Sequence, residues 1–118
     1  MKARVETPVL TEREADFLCR SGLGRVATVS PDGQPHVVPV VYEFDGQFIY
    51  FSGRSLSKSL KFRQLARNPK VALVVDDVVS VSPWRARGVE IRGTAELLVE
   101  RNRPFVRITP HASASWGL

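Results

Sequence analysis

The sequence has a single cysteine, Cys19, so no disulfide forms within the chain and no cysteine-based metal cluster can assemble. Histidine is nearly as scarce: only His36 and His111 are present, and no carboxylate stands at a spacing that would complete a two-histidine metal site. No serine sits in a Gly-x-Ser-x-Gly elbow, and neither a Gly-x-Gly-x-x-Gly nor a Walker sequence occurs. Their absence removes the common hydrolase triad and two familiar nucleotide-binding turns. No apolar run approaches the ~20 residues that span a bilayer, and the first eight residues lack the apolar stretch of a secretory signal. A cytoplasmic location away from membranes is therefore expected. Acids are the rarer charge, 12 Asp and Glu against 17 Lys and Arg, which leaves a net charge of +5. Such a balance suits an anionic partner, either nucleic acid or a phosphorylated cofactor, and it also fits a protein with no specific anion at all.

What is present suits one small core. At 118 residues with 43% hydrophobic content, the chain is expected to form one domain over residues 1–118. Thr11-Glu12-Arg13-Glu14 has the form of a capping box, in which the threonine hydroxyl accepts from the Glu14 amide and the glutamate reaches back. Leu10 and Ala15 stand at staple positions, and Phe17, Leu18 and Cys19 supply an apolar side. Ser21-Gly22 is expected to end this helix through a left-handed glycine.

From Gly24 the period changes to two. Residues 25–30 read as a strand, Pro31-Asp32-Gly33-Gln34 as a turn and residues 35–44 as a second strand. After Asp45-Gly46, a strong hairpin signal, residues 47–52 read as a third. Residues 54–67 return to helical spacing through Leu56, Leu60, Phe62, Leu65 and Ala66, and Asn68-Pro69 stops the helix. Val71-Ala72-Leu73-Val74-Val75 is an unbroken apolar run, which predicts a strand covered on both faces, the outer one by a second copy of the chain. Asp76-Asp77 is expected to end that strand. Residues 88–97 then alternate, Val89 and Ile91 against Glu90, Arg92 and Thr94. Residues 105–109 make a last strand before a tail that holds His111 and Trp116. The fold class is mainly β: a small six-stranded antiparallel barrel, closed or partly closed, with two short helices.

The strongest chemical signal lies between Arg54 and Lys70. Arg54, Lys58, Lys61, Arg63, Arg67 and Lys70 occur there without one Asp or Glu, interleaved with Ser52, Gly53, Ser55, Ser57 and Ser59. Hydroxyls, unpaired amides at a helix start and a lysine one turn in make a phosphate site. The same composition also describes a solvated basic face. Trp84 with Arg85-Ala86-Arg87 is suited to stack on a planar ligand or bind an acidic tail, and equally to plug one barrel end. Cys19 and Trp116 read as packing residues, and His36 shares a strand face with Val38, Val40 and Tyr42. No acid, base or nucleophile stands out, so catalytic residues are left unassigned. A bound redox cofactor would supply the chemistry the side chains lack.

Several motifs in order are similar to one known family. Gly24-Arg25-Val26-Ala27-Thr28-Val29, Asp32-Gly33-Gln34-Pro35-His36-Val37-Val38-Pro39-Val40, Lys61-Phe62-Arg63 and Arg67-Asn68-Pro69-Lys70-Val71-Ala72 resemble the flavin-binding split barrels of the pyridoxamine 5'-phosphate oxidase-like superfamily. Val75-Asp76-Asp77-Val78, Pro83-Trp84-Arg85, Arg87-Gly88-Val89-Glu90-Ile91-Arg92-Gly93 and Ser115-Trp116-Gly117-Leu118 continue the likeness. Within the superfamily the set is most similar to the oxidoreductases that use the deazaflavin coenzyme F420.

The resemblance implies a split β-barrel that forms a homodimer with two cofactor sites at the subunit interface. It places the cofactor ring against Pro39, Val40 and Val41. The phosphate falls to Ser52, Gly53, Ser59 and Lys61, with Arg54 and Lys58 near, and Trp84 and Arg87 come from the partner subunit. Val37 stands where the oxidases of the superfamily carry an arginine, and only a short loop is expected between Leu98 and Phe105. Vitamin B6 oxidation is therefore not the expected activity. The implied reaction is hydride transfer from reduced F420 to a small unsaturated or conjugated substrate. An FMN-binding oxidoreductase or flavin-binding protein is the alternative. A basic nucleic-acid-binding module is a further alternative from a different class, although the basic helix has only Phe62 to stack on bases and no aromatic strand pattern accompanies it.

Overall fold

In the computed structural model, which describes residues 9–52 and 60–118, the alternation of apolar and polar residues becomes a closed antiparallel barrel. In chain order the elements are α1 (Glu12–Arg20), β1 (Leu23–Val29), β2 (Pro35–Phe44), β3 (Ile49–Phe51), α2 (Leu60–Arg67), β4 (Lys70–Ser80), β5 (Arg85–Glu100) and β6 (Arg103–Trp116). Around the wall the strands run β1-β2-β3-β6-β5-β4, and β4 closes back on β1. The architecture is thus mainly β, six strands and two helices, as the patterning predicts.

Each strand sends every second side chain inward. Val26 of β1, Val40 and Tyr42 of β2, Ile49 and Phe51 of β3, Val71, Leu73 and Val75 of β4, Val89, Ile91 and Ala95 of β5, and Val106 and Ile108 of β6 fill the interior. Phe17 and Leu18 of α1 and Leu65 of α2 pack against the same core. Removing a large side chain from such a core costs on the order of 2–5 kcal/mol.

The first helix is held by polar contacts. The Thr11 hydroxyl accepts from the Glu14 amide at 3.1 Å, and the Glu14 carboxylate accepts from the Thr11 amide at 2.9 Å, completing the capping box. Glu14 is buried, and it also accepts from the Ser113 hydroxyl of β6 at 3.0 Å. The Tyr42 hydroxyl donates to the Leu18 carbonyl at 2.8 Å and fastens the helix to β2.

Several local expectations are corrected. Helix α1 ends at Ser21 in an extended conformation (φ −94°, ψ 176°), not through a left-handed glycine, and Cys19 lies exposed on the helix rather than on its apolar side. Asp76-Asp77 does not end β4, which continues to Ser80. Each carboxylate is neutralised from a neighbouring strand, Asp76 by Arg25 of β1 at 2.6 Å and Asp77 by Arg87 of β5 at 2.7 Å. The outer positions of β4, Ala72 and Val74, are half-buried by this chain alone, and the second copy expected over them belongs to the reading of the assembly below. The loop expected between Leu98 and Phe105 is paired strand, turned by Arg101 and Asn102 with φ of 52° and 63°. Strand β6 runs on to Trp116, so His111 and Trp116 belong to the sheet and not to a tail. At that end the Trp116 ring covers Gly88, where an added Cβ would come within 2.5 Å of it. Of the helix expected over residues 54–67, residues 54–59 lie outside the described residues. Among the described residues no helix is long and apolar enough to cross a membrane.

The Glu14 anchor yields a stability test. Burial pushes its carboxyl up, but the hydrogen bonds from Thr11, Ser115 and Ser113 outweigh that and leave it below its ordinary value of 4.5. A carboxyl depressed in the folded state contributes stability above its unfolded value, and that contribution disappears as pH falls through the folded value. Urea unfolding at descending pH should therefore show wild type losing more stability below about pH 4.5 than Glu14→Gln. Thr11→Ala should cost about 1 kcal/mol at neutral pH. Equal acid losses in wild type and Glu14→Gln would remove Glu14 as the cause.

Candidate functional site

Because side chains fill the barrel, a ligand site has to be built on its outer wall. Strand β2 is the part of that wall best prepared for one. It pairs with β1 from Pro35 to Val41, but with β3 only from Tyr42 to Phe44. Among the described residues, the second edge of residues 35–41 therefore has no strand partner. This accounts for Pro35 and Pro39 in a strand, since proline is tolerated where no ladder hydrogen bond is required. The outward row of that stretch is Pro35, Val37, Pro39 and Val41, with Val37 64% and Val41 73% exposed. It forms an apolar stripe beside an edge that no described strand pairs with.

The stripe ends at a cleft of about 580 Å³ lined by Val41, Tyr42, Glu43, Tyr50, Phe51, Ser52, Glu100 and Phe105. That volume suits a drug-sized or cofactor-sized ring. Register explains the lining: Glu43 lies opposite Tyr50, and Tyr50 lies opposite Arg107 on β6. The Tyr50 and Phe105 rings stand 6.1 Å apart at 52° and make an aromatic wall. The Tyr50 hydroxyl donates to Asp45 Oδ2 at 2.9 Å, and that contact raises the tyrosine above its usual value. Asp45 itself is held low, chiefly by backbone donation from Phe48. It belongs to the β2–β3 turn, where Gly46 adopts φ 96°.

The residues expected at a cofactor site divide into groups. Val41 and Ser52 line the same cleft. Pro39 faces outward on the stripe, whereas Val40 points into the barrel and is buried. Lys61 lies in the first turn of α2, a turn without an acidic residue. Gly53, Arg54, Lys58 and Ser59 lie outside the described residues. Trp84 is the last residue of the β4–β5 turn and is 67% exposed. Arg87 is engaged within its own chain: its Nε and Nη2 donate to Asp77 at 2.7 and 3.0 Å, and its guanidinium lies 5.2 Å from the Phe17 ring centre. The arginine holds the Asp77 carboxyl below its usual range. Arg20, Arg25, Arg92 and Arg107 also face carboxylates on the surface.

Sequence reasoning missed Glu43, Tyr50, Glu100 and Phe105. The period-two pattern shows that Tyr50 and Ser52 share a face, but Phe105 and Glu100 join them only because β3 pairs with β6 and not with a sequence neighbour.

Comparison with known proteins places the fold in a family. Residues 10–114 match the family described as pyridoxamine 5'-phosphate oxidase. The 5a,11a-dehydrotetracycline/5a,11a-dehydrooxytetracycline reductase of Streptomyces rimosus is 41% identical over 92% of this chain and 83% of its own length. A conserved hypothetical protein of Mycobacterium tuberculosis superposes with a TM-score of 0.77 at 29% identity, covering 99% of this chain and 90% of that one. A protein described as an F420 reductase superposes with a TM-score of 0.73 at 26% identity, covering 89% of this chain and 98% of that one.

The sequence contains two tyrosines, which makes the cleft wall measurable. Burial pushes Tyr42 up to about 12, and Asp45 raises Tyr50. In an ultraviolet alkaline titration, wild type should show no phenol ionising at the ordinary value near ~10. Asp45→Asn should return one phenol to that value and leave the other high. A wild-type phenol already titrating normally would contradict the Tyr50–Asp45 contact.

Proposed function

This chain belongs to the pyridoxamine 5'-phosphate oxidase family, and on that premise we propose that it reduces a small unsaturated or conjugated substrate with reduced coenzyme F420. It is an oxidoreductase of the flavin type. The observation that carries the finer reading is the apolar, open-edged stripe of β2 running into a cleft lined by Val41 and Ser52. A planar ring finds there a dry face with backbone groups beside it, and an attached phosphate finds a serine leading towards a helix start free of acids. When bound, the coenzyme supplies the hydride.

The protein's own residues orient and desolvate. Val37, Pro39 and Val41 exclude water from one face of the ring. Open-edge amides near Val40 are placed to steady charge on its rim. Ser52, Gly53, Ser59 and Lys61 hold the phosphate, with Arg54 and Lys58 beside them. F420 is favoured over FMN because cations exceed what one phosphate needs, and that coenzyme carries an acidic glutamate tail. The name of one structural neighbour, an F420 reductase, points the same way. FMN remains the alternative cofactor.

The same reading makes the working unit a homodimer. Leu23, Val37 and Val41 leave one apolar patch exposed, and Val78, Val79, Val81 and Trp84 leave another at the β4–β5 turn. A twofold axis lets the turn of each copy cover the stripe of the other, as isologous interfaces do. Trp84 then closes over the partner's ring, and Arg87 contributes the guanidinium hydrogens that Asp77 leaves free.

Titrating the purified protein with F420 and with FMN tests the cofactor assignment. Binding of F420 in preference to FMN is expected, and tight FMN binding without F420 binding would overturn it. Lys61→Ala should weaken coenzyme binding by about tenfold or more, while Arg67→Ala should change it by less than about twofold. Equal losses in the two variants would contradict the phosphate assignment.

A further inference from the structure

The outer wall holds a second hollow, beside the β2 stripe and apart from the cleft at its end. Outward positions run in register across three strands: Val37 of β2 lies opposite Ala27 of β1, and Ala27 lies opposite Ala72 of β4. Adjacent strands are about 4.8 Å apart, so Ala72 stands roughly 10 Å from Val37 along this row. Ala27 and Ala72 are short, and the row sinks there into a cavity of about 410 Å³ with Val29 on its floor. That volume falls within the range of small-molecule sites. Lys70, Arg92 and His111 stand around it, and among the described residues no carboxylate lines it. The far wall is built around a bulge. Gly93 pairs with Pro110 and Arg92 with Ala112, which makes His111 the extra residue on β6. The strands approach so closely that a Cβ added at Gly93 would collide with the Thr109 carbonyl oxygen. The His111 ring reaches back to β5, its Nε2 2.9 Å from Thr94 Oγ1, and this contact fixes the imidazole at the edge of the cavity.

An apolar floor ringed by basic side chains suits a flat molecule with negative charge at its edge. The place of the cavity, one strand from the row given to the coenzyme ring, suits the second reactant. We propose that this cavity binds the substrate, and that the substrate is a planar conjugated molecule carrying an acidic oxygen. Ala27, Val29 and Ala72 lie beneath its rings, and Lys70, Arg92 and His111 surround the oxygen. The inference rests on the reading of the coenzyme site above and names its substrate class. Three features of the chain meet in it: a row of short residues in register with the stripe, a lining whose only charged side chains are basic, and a bulge that sets a histidine at its edge.

The test is calorimetric titration of the full chain at low salt with 2-naphthoate and with its neutral counterpart 2-naphthalenemethanol. Wild type should bind the naphthoate about tenfold more tightly, and added salt should shrink the difference. Lys70→Gln, Arg92→Gln and His111→Ala should each weaken naphthoate binding several-fold. Ala72→Leu, which fills the floor, should weaken both probes, and F420 binding by the same variant reports that it is folded. Arg103→Gln removes one charge at the start of β6, away from the cavity, and should change neither probe. The proposal is overturned if wild type shows no preference, if the three cavity variants keep it, if Arg103→Gln lowers it equally, or if Ala72→Leu binds as wild type does. It is also overturned if F420 displaces naphthoate, which would give the cavity to the acidic tail of the coenzyme. Naphthoate affinity that falls as protein concentration rises would give it to a second copy of the chain and overturn it likewise. F420 binding without a naphthoate preference removes the substrate class alone, whereas failure of wild type to bind F420 or FMN removes the underlying reading.

Discussion

The filled interior decides where everything else in this molecule can happen. A six-stranded wall encloses only enough space for its own inward side chains, and here Ile49, Val89, Val106 and Ile108 have no measurable exposure at all. Chemistry is displaced to the outer wall, and the alternation that builds the core also decides what that wall presents. On β2 the inward set is Val40 and Tyr42, and the outward set is a row of valines and prolines. A strand with polar residues outside would be an ordinary solvated surface. With apolar ones outside and one edge unpaired among the described residues, it is a platform that needs covering.

Charge follows the same economy. Paired arginines on neighbouring strands let β4 carry two adjacent aspartates through its middle, because neighbours on a strand face opposite sides and each meets its own guanidinium. Arg25, so used, is withdrawn from any anion-binding face. The first turn of α2 carries Lys61 and no acidic residue, and Ser52 lines the cleft below β2.

Much of this was legible in the residues, and the exceptions have physical causes. The bounds of β2 could be read because Pro35 and Asp45-Gly46 punctuate both ends, and the capping box fixed the start of α1. The end of β4 was misread because two acids resemble a stop until their partners, 51 and 10 residues away, are known. The β5–β6 turn was hidden because Arg101 and Asn102 take positive φ without a glycine to advertise it. The cleft is the least legible feature. Its walls come from residues far apart in the chain, and only the pairing of β3 with β6 brings Tyr50 to Phe105.

The most direct measurement is a crystal structure of the protein soaked with the deazaflavin. The account predicts the ring flat on the outward row from Val37 to Val41, its phosphate at Ser52 and the start of α2, and a second copy of the chain closing over it with Trp84. A coenzyme lodged elsewhere on the wall, or one bound to a solitary subunit with that row still bare, would contradict it.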